Sequence, residues 1–238
     1  QKLARDAQWF EDRMPWDQRF RKPDVAGITA RAIEVVVETG DSGPVTAVGI
    51  NLPNDQAIRE RYGSKSVTLA NVSDAYERST PEAMRVEFSW SADEAQRAIK
   101  WGGFAQELTT AMHEVIGHGS GRMSPEATEP PHKLLGEQYS AIEEARADLV
   151  ALYFIPDAKL VELGIVPAED QDDIVTTEYE HYVRNALVQL RRVREGTQIE
   201  EDHMRNRHMI VSWLRAHTTA IEMRKRDGHT YFVMVDAT

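Results

Sequence analysis

The chain has no cysteine. Disulfides and thiolate metal sites are therefore excluded, and the absence fits a reducing, cytoplasmic setting. No apolar run approaches the roughly 20 residues needed to cross a bilayer, and no charged-then-apolar signal pattern opens the sequence, so no membrane partner is expected. A basic excess is also lacking. Lys and Arg number 28 against 39 Asp and Glu, a net charge of −11, which argues against a nucleic-acid partner. There is no internal repeat and no low-complexity tract. Position 1 is Gln rather than Met, as expected of a piece of something longer. What is present is ordinary for a soluble globular protein: 238 residues, 41% hydrophobic and 28% charged, enough for one large domain or two small ones.

Hydrophobic periodicity predicts a chain that is mainly α (α+β). Leu3, Phe10 and Met14 stand at helical spacing before Pro15, which stops or kinks a helix. The β-branched run 32–37 reads as a strand, residues 40–44 (GDSGP) as a turn, and 45–52 as the returning strand. Residues 66–72 read as another extended piece. Ser91 with Glu94 forms a capping box, Gly102-Gly103 is expected to break the helix it starts, and Phe104, Leu108, Met112 and Val115 mark an apolar stripe. Tyr139, Ile142, Leu149 and Leu152 mark a further helix ending before Pro156. A long helix after Pro167 carries Tyr179, Tyr182, Val183, Ala186, Leu190 and Val193, and a last one covers 201–216.

The chemistry concentrates in residues 113–122, HEVIGHGSGR. Two histidines flank a glutamate as in zinc hydrolases, but His118 follows His113 by five residues. At about 100° per residue, i and i+5 on a regular helix diverge by about 140°, too far apart to share an ion. One wide turn with i→i+5 hydrogen bonding absorbs the extra residue, and Gly117 stands where a distorted backbone favours a residue without a β-carbon. The bland alternative is a polar helix face. A third ligand is offered by Glu143-Glu144-Ala145-Arg146-Ala147-Asp148. Glu144 and Asp148, four residues apart, share a face opposite the Ile142/Leu149 stripe. Two histidines and a glutamate form a catalytic zinc set with one position left for water, and Asp148 or Glu143 can accept the second N–H of a ligand histidine. Alone, this stretch reads as a solvated charged face.

Together, His113-Glu114-Val115-Ile116-Gly117-His118 and Glu143-Glu144-Ala145-Arg146-Ala147-Asp148 resemble the two signatures of the dipeptidyl peptidase III family of zinc metallopeptidases. Residues 49–54 (GINLPN) resemble its substrate-binding strand, and residues 203–207 (HMRNR) its late His-x-x-x-Arg element. The resemblance implies a helical catalytic lobe (76–238), an N-terminal helix of that lobe (1–32), and a β segment of a second lobe (33–75). It implies one zinc on His113, His118 and Glu144, with Glu114 as the general base toward the water that the metal activates. Asp148 would orient a ligand histidine, with Glu143 also in support, and His203 would assist the transition state. Gly49, Asn51, Asn54 and Arg207 would hold an oligopeptide, from which N-terminal dipeptides are released. From the residues alone, Asn51 and Asn54 read as turn formers around Pro53, and His203 and Arg207 as surface residues.

Family members are longer than this chain, with an N-terminal lobe that nothing here matches, so the missing lobe is itself an expected partner. Two other readings stand beside a peptidase. One is a non-catalytic module keeping a structural zinc within a multidomain protein, against which Glu114 speaks. The other is a zinc hydrolase of a non-peptide bond, against which the strand with Asn51 and Asn54 speaks.

Overall fold

The computed structural model describes residues 1–25, 27–39, 48–53, 55–193, 196 and 198–236. The expected N-terminal helix forms as two short pieces, α1 (Lys2–Arg5) and α2 (Ala7–Glu11). They bury Leu3 and Phe10, with Phe10 edge-on to Phe154 at 5.1 Å, and Met14 is buried just beyond them.

The strands differ from expectation in register and in partner. β1 (Thr29–Ile33) starts before the β-branched run and stops within it. Asn71 takes both backbone groups of Val35, accepting its N–H at 2.9 Å and donating to its carbonyl at 2.9 Å. That ends the pairing, and Val36 and Val37 stand 97% and 77% exposed. Strand propensity without a partner strand does not make a strand. β2 (Gly49–Leu52) does not return on β1. It runs antiparallel to β3 (Lys65–Leu69), which pairs in parallel with β1, giving the order β1-β3-β2. Between them lies α3 (Gln56–Tyr62). The turn expected at 40–44 lies outside the described residues. β3 ends at Leu69 because α4 (Ala70–Ser79) begins at once.

After α5 (Glu82–Glu87), the Ser91/Glu94 cap forms at the head of α6 (Ala92–Met112). The Glu94 N–H donates to Ser91 Oγ at 3.1 Å, and the Glu94 carboxylate accepts the Trp90 N–H at 2.8 Å. Gly102-Gly103 does not break this helix. A Cβ on Gly102 would stand 2.7 Å from Nη1 of Arg85, which donates to the Ala98 carbonyl one turn earlier. The missing side chain makes room for an arginine. Of the expected stripe, Leu108, Met112 and Val115 are buried and Phe104 is exposed, with Ala105 buried beside it.

α7 (Pro131–Leu135) leads to α8 (Tyr139–Phe154), which ends before Pro156 as the sequence indicates. Its buried face is the reverse of the expected one. Ile142 and Leu149 are exposed, while Ala141, Ala145, Ala147, Asp148, Val150 and Ala151 are inside. Ala147 on that face lies against the backbone of Gly117, a close approach that small side chains permit. α9 (Lys159–Glu162), α10 (Gln171–Val188) and α11 (Asp202–His217) follow. α10 stops short of the expected Val193, giving way to a tight turn over Gln189–Arg192. A C-terminal hairpin, β4 (Ile221–Arg226) and β5 (His229–Met234), was not among the expected elements. Its signal was present: Asp227-Gly228 between alternating residues, with φ of 51° and 79°, the double positive φ of a two-residue hairpin turn.

The chain divides into two compact units. The first is Gln1–Ser79, Glu107–Tyr139 and Arg146–Phe154. The second is Thr80–Gln106, Ser140–Ala145 and Ile155–Thr238. In the second, α10 packs against β5 and α11. The division passes through α6 and α8, each an unbroken helix. No described helix is long and apolar enough to cross a membrane.

Candidate metal centre

The extra residue in the histidine motif is absorbed as a π turn. α6 runs into a five-residue π-helical segment, His113–Gly117, and the His118 N–H donates to the His113 carbonyl at 2.9 Å. The widened turn brings the two imidazoles together, ring centroids 4.7 Å apart and nearly perpendicular. Gly117 is required for a reason other than backbone strain. A Cβ there would lie 2.9 Å from both the Cα and the carbonyl oxygen of Ala147. The π turn and α8 touch backbone to backbone, and only glycine fits.

α8 carries the other donors. Asp148 Oδ1 is 2.7 Å from His113 Nδ1, and both side chains are buried. With Nδ1–H donated to the carboxylate, the imidazole presents its Nε2 lone pair. One turn earlier on the same helix, Glu144 completes a set: ligand atoms of His113, His118 and Glu144 all lie within 4.8 Å of one another. Atoms bound to one zinc at about 2.0–2.1 Å can stand at most about 4.2 Å apart. Around a tetrahedral zinc the donors stand about 3.4 Å apart, so the set lies near one ion and closes on it by side-chain rotation. Neutral imidazole and carboxylate donors suit that metal.

Glu114 is buried between the two histidines, its carboxylate against β2. A Cβ on Gly49 would meet its Oε1 at 2.9 Å and its Cγ at 3.0 Å. Asn51 Nδ2 donates to the Glu114 carbonyl at 2.8 Å and to Ser66 Oγ at 2.8 Å. Both strand residues expected to meet substrate thus touch Glu114. Asn54 lies outside the described residues. His203, in the first turn of α11, has Nδ1 3.4 Å from Glu144 Oε2, with its side chain 55% exposed. Arg207, one turn on, donates to Gln189 Oε1 at 3.0 Å and lies over the Tyr182 ring at 5.1 Å. Glu143 is half-buried beside Glu144.

Several residues around the turn were not singled out in the sequence. Arg146, inside the second motif, donates from Nη1 to the Gly117 carbonyl at 2.9 Å, the Ser120 carbonyl at 3.1 Å and Ser120 Oγ at 2.9 Å. Buried Lys22 donates to the Gly119 carbonyl, and buried Glu11 accepts the N–H of Lys22 at 2.6 Å and of Gly121 at 3.0 Å. Arg146 was readable from its place in the motif. Lys22 and Glu11 sit about 100 residues away from their partners and carry no local signal.

Two histidines on a π turn, a glutamate on a crossing helix and a second glutamate between the histidines form the constellation of a metal-dependent hydrolase. Residues 1–132 and 125–238 match the model of Peptidase family M49, and the chain belongs to that family. It is 25% identical over 241 residues to dipeptidyl peptidase 3 of Mus musculus, covering 89% of this chain and 32% of that protein. It is 32% identical over 150 residues to Nudix hydrolase 3 of Arabidopsis thaliana, covering 60% of this chain and 18% of that protein. The solved structure of dipeptidyl-peptidase III from Corallococcus sp. strain EGB shares its fold, with a TM-score of 0.76 at 24% identity over 98% of this chain and 41% of that one. The chain spans about a third of the length of the dipeptidyl peptidase 3 relatives it matches.

Proposed function

We propose that this chain is the metal-binding catalytic segment of a zinc peptidase that releases N-terminal dipeptides from oligopeptides. The observation that carries the reading is the convergence of His113, His118 and Glu144 within 4.8 Å, with Glu114 between the histidines in sequence. A zinc ion held there supplies Lewis acidity that brings the pKa of a water to about 7 and polarises a peptide carbonyl. Glu114 accepts a proton at its carboxylate and delivers it to the departing amine. Asp148 keeps the His113 ring oriented through Nδ1. His203, in the first turn of α11 beside Glu144, supports developing charge, with Glu143 in support of the ligand set. Arg207 and Asn54 take part in holding the peptide. Among the described residues β2 pairs only with β3, so its other edge can accept an extended peptide as an added strand. Residues 33–75 would belong to a second lobe completed by the missing part of the protein, and 1–32 and 76–238 to the helical lobe. The absence of cysteine supports a cytoplasmic setting.

Metal analysis of the full-length protein combined with a dipeptidyl-arylamide assay tests this. One zinc per chain and release of the arylamine are expected; a metal-free protein, or a zinc protein that leaves every such substrate intact, overturns it. The match to a protein named for Nudix chemistry, of which the shared part is 18%, favours a second reading, a zinc-holding module within a multidomain protein. A metal-loaded but inactive full-length protein is its signature.

A further inference from the structure

We propose that Asn51 and Ser66 are positioning residues for Glu114, fixing the backbone of the general base from the strand whose edge receives the substrate. The proposal rests on the peptidase reading above. Side chains two apart on a strand share a face, so Gly49 and Asn51 point the same way from β2. Glu114 meets that face with both its ends. Its carboxylate packs where a Gly49 Cβ would stand, 2.9 Å from Oε1 and 3.2 Å from Cδ, and its carbonyl accepts Asn51 Nδ2 at 2.8 Å. Ser66, opposite Asn51 in the β2–β3 ladder, donates from Oγ to the same carbonyl at 3.0 Å.

The directions of these bonds are fixed by chemistry. A carbonyl oxygen only accepts, so the end of Asn51 that faces it is the NH₂ group. The hydroxyl of Ser66 then accepts from the amide and donates to the carbonyl. Asn51 Oδ1 is itself buried. The carbonyl being held is one of the last in its helix, where intrahelical donors run out, at the turn that carries both histidines.

β2 therefore has two separate tasks. Its backbone edge away from β3 is the seat for substrate, and its Asn51 side chain holds the base. Substrate and base are registered against one short strand, which matters because a misplacement of about 1 Å can cost about 100-fold in rate.

The test uses the full-length, zinc-loaded gene product with a dipeptidyl-arylamide substrate. Asn51→Ala is expected to lower kcat by about 100-fold with KM changed less than about threefold. Metal content should stay at the wild-type level under chelator competition, and amide hydrogen exchange over residues 113–119 should quicken. Ser66→Ala, a smaller cut at the same carbonyl, should give the same kcat–KM split at about tenfold, and serves if the first variant is too unstable to purify. A raised KM at unchanged kcat makes Asn51 a substrate ligand and overturns the positioning role while leaving the peptidase reading intact. Unchanged kinetics, or loss of the metal, overturns it as well. If the wild-type protein cleaves no peptide, the peptidase reading has failed on its own, and unaltered hydrogen exchange over 113–119 in the variants then overturns the inferred hold on the turn.

Discussion

Two glycines, Gly117 in the first unit and Gly228 in the second, are needed for opposite reasons. Gly228 has φ of 79° and nothing within 4 Å of where its Cβ would be, so its requirement is wholly conformational. The hairpin it turns pairs neighbouring residues and would be recognisable from a ten-residue window. Gly117 sits in a right-handed turn, and its requirement is wholly external, since the backbone of Ala147 occupies the space a side chain would need. A local rule explains the first. Only the crossing of two distant segments explains the second. The same contrast separates the two antiparallel ladders: β4–β5 is joined by its own turn, whereas β2–β3 places Asn51 and Ser66 under a carbonyl 63 and 48 residues away.

The sharpest way to separate the local from the distant is at the π turn itself. Glu114→Ala should lower turnover by about 10²- to 10⁴-fold while leaving zinc in place, because it removes a base and not a ligand. Glu144→Ala should instead release the metal. Atomic absorption on both variants checks the distinction, and metal loss from Glu114→Ala would put that residue among the ligands. Next in size, Gly117→Ala should destabilise the first unit by about 3 kcal/mol through overpacking against α8, read by chemical denaturation. Gly228→Ala should cost only about 1 kcal/mol, because the strain is confined to one residue. Equal losses would show that the crossing at Ala147 yields more readily than its distances suggest.

A smaller effect concerns acid. His181 on α10 is held neutral: burial lowers its pKa well below 6.5, with Arg184, Arg207 and Arg85 adding to the effect. Its Nδ1 is buried and its Nε2 lies 2.9 Å from Gln106 Nε2, so Nε2 accepts from the amide. The unfolded chain takes up a proton near pH 6.5 while the native chain does not, so stability falls as pH drops below 6.5. The slope for one proton is at most about 1.4 kcal/mol per pH unit. His181→Gln should flatten the melting-temperature profile between pH 7 and 5. An unchanged profile would assign the acid sensitivity to carboxylates elsewhere.

The sequence could be read wherever a group's neighbours lie within one or two turns of chain. The five-residue histidine spacing implied a wide turn, and His113–Gly117 forms one. The Ser91/Glu94 cap and the stop before Pro156 are local in the same sense. The Asp227-Gly228 turn is equally local. Burial was harder to read. On α8 the aliphatic Ile142 and Leu149 face solvent while alanines and Asp148 face inward, because the neighbouring turn approaches to backbone contact. A pattern of hydrophobicity cannot report that distance. Nor could it report that Arg85 would lie across Gly102 and keep α6 whole.

The sequence by itself therefore marked His113, His118 and Glu144 as candidate metal donors and determined the need for a turn that brings the first two onto one side, since helical geometry over a few residues follows from covalent structure and hydrogen bonding alone. Tertiary structure decided which face of α8 meets that turn, why Gly117 must lack a side chain, and that Asn51 reaches the backbone of Glu114. Each of those depends on which remote segment comes within 3 Å, and that is settled by the packing of the whole unit.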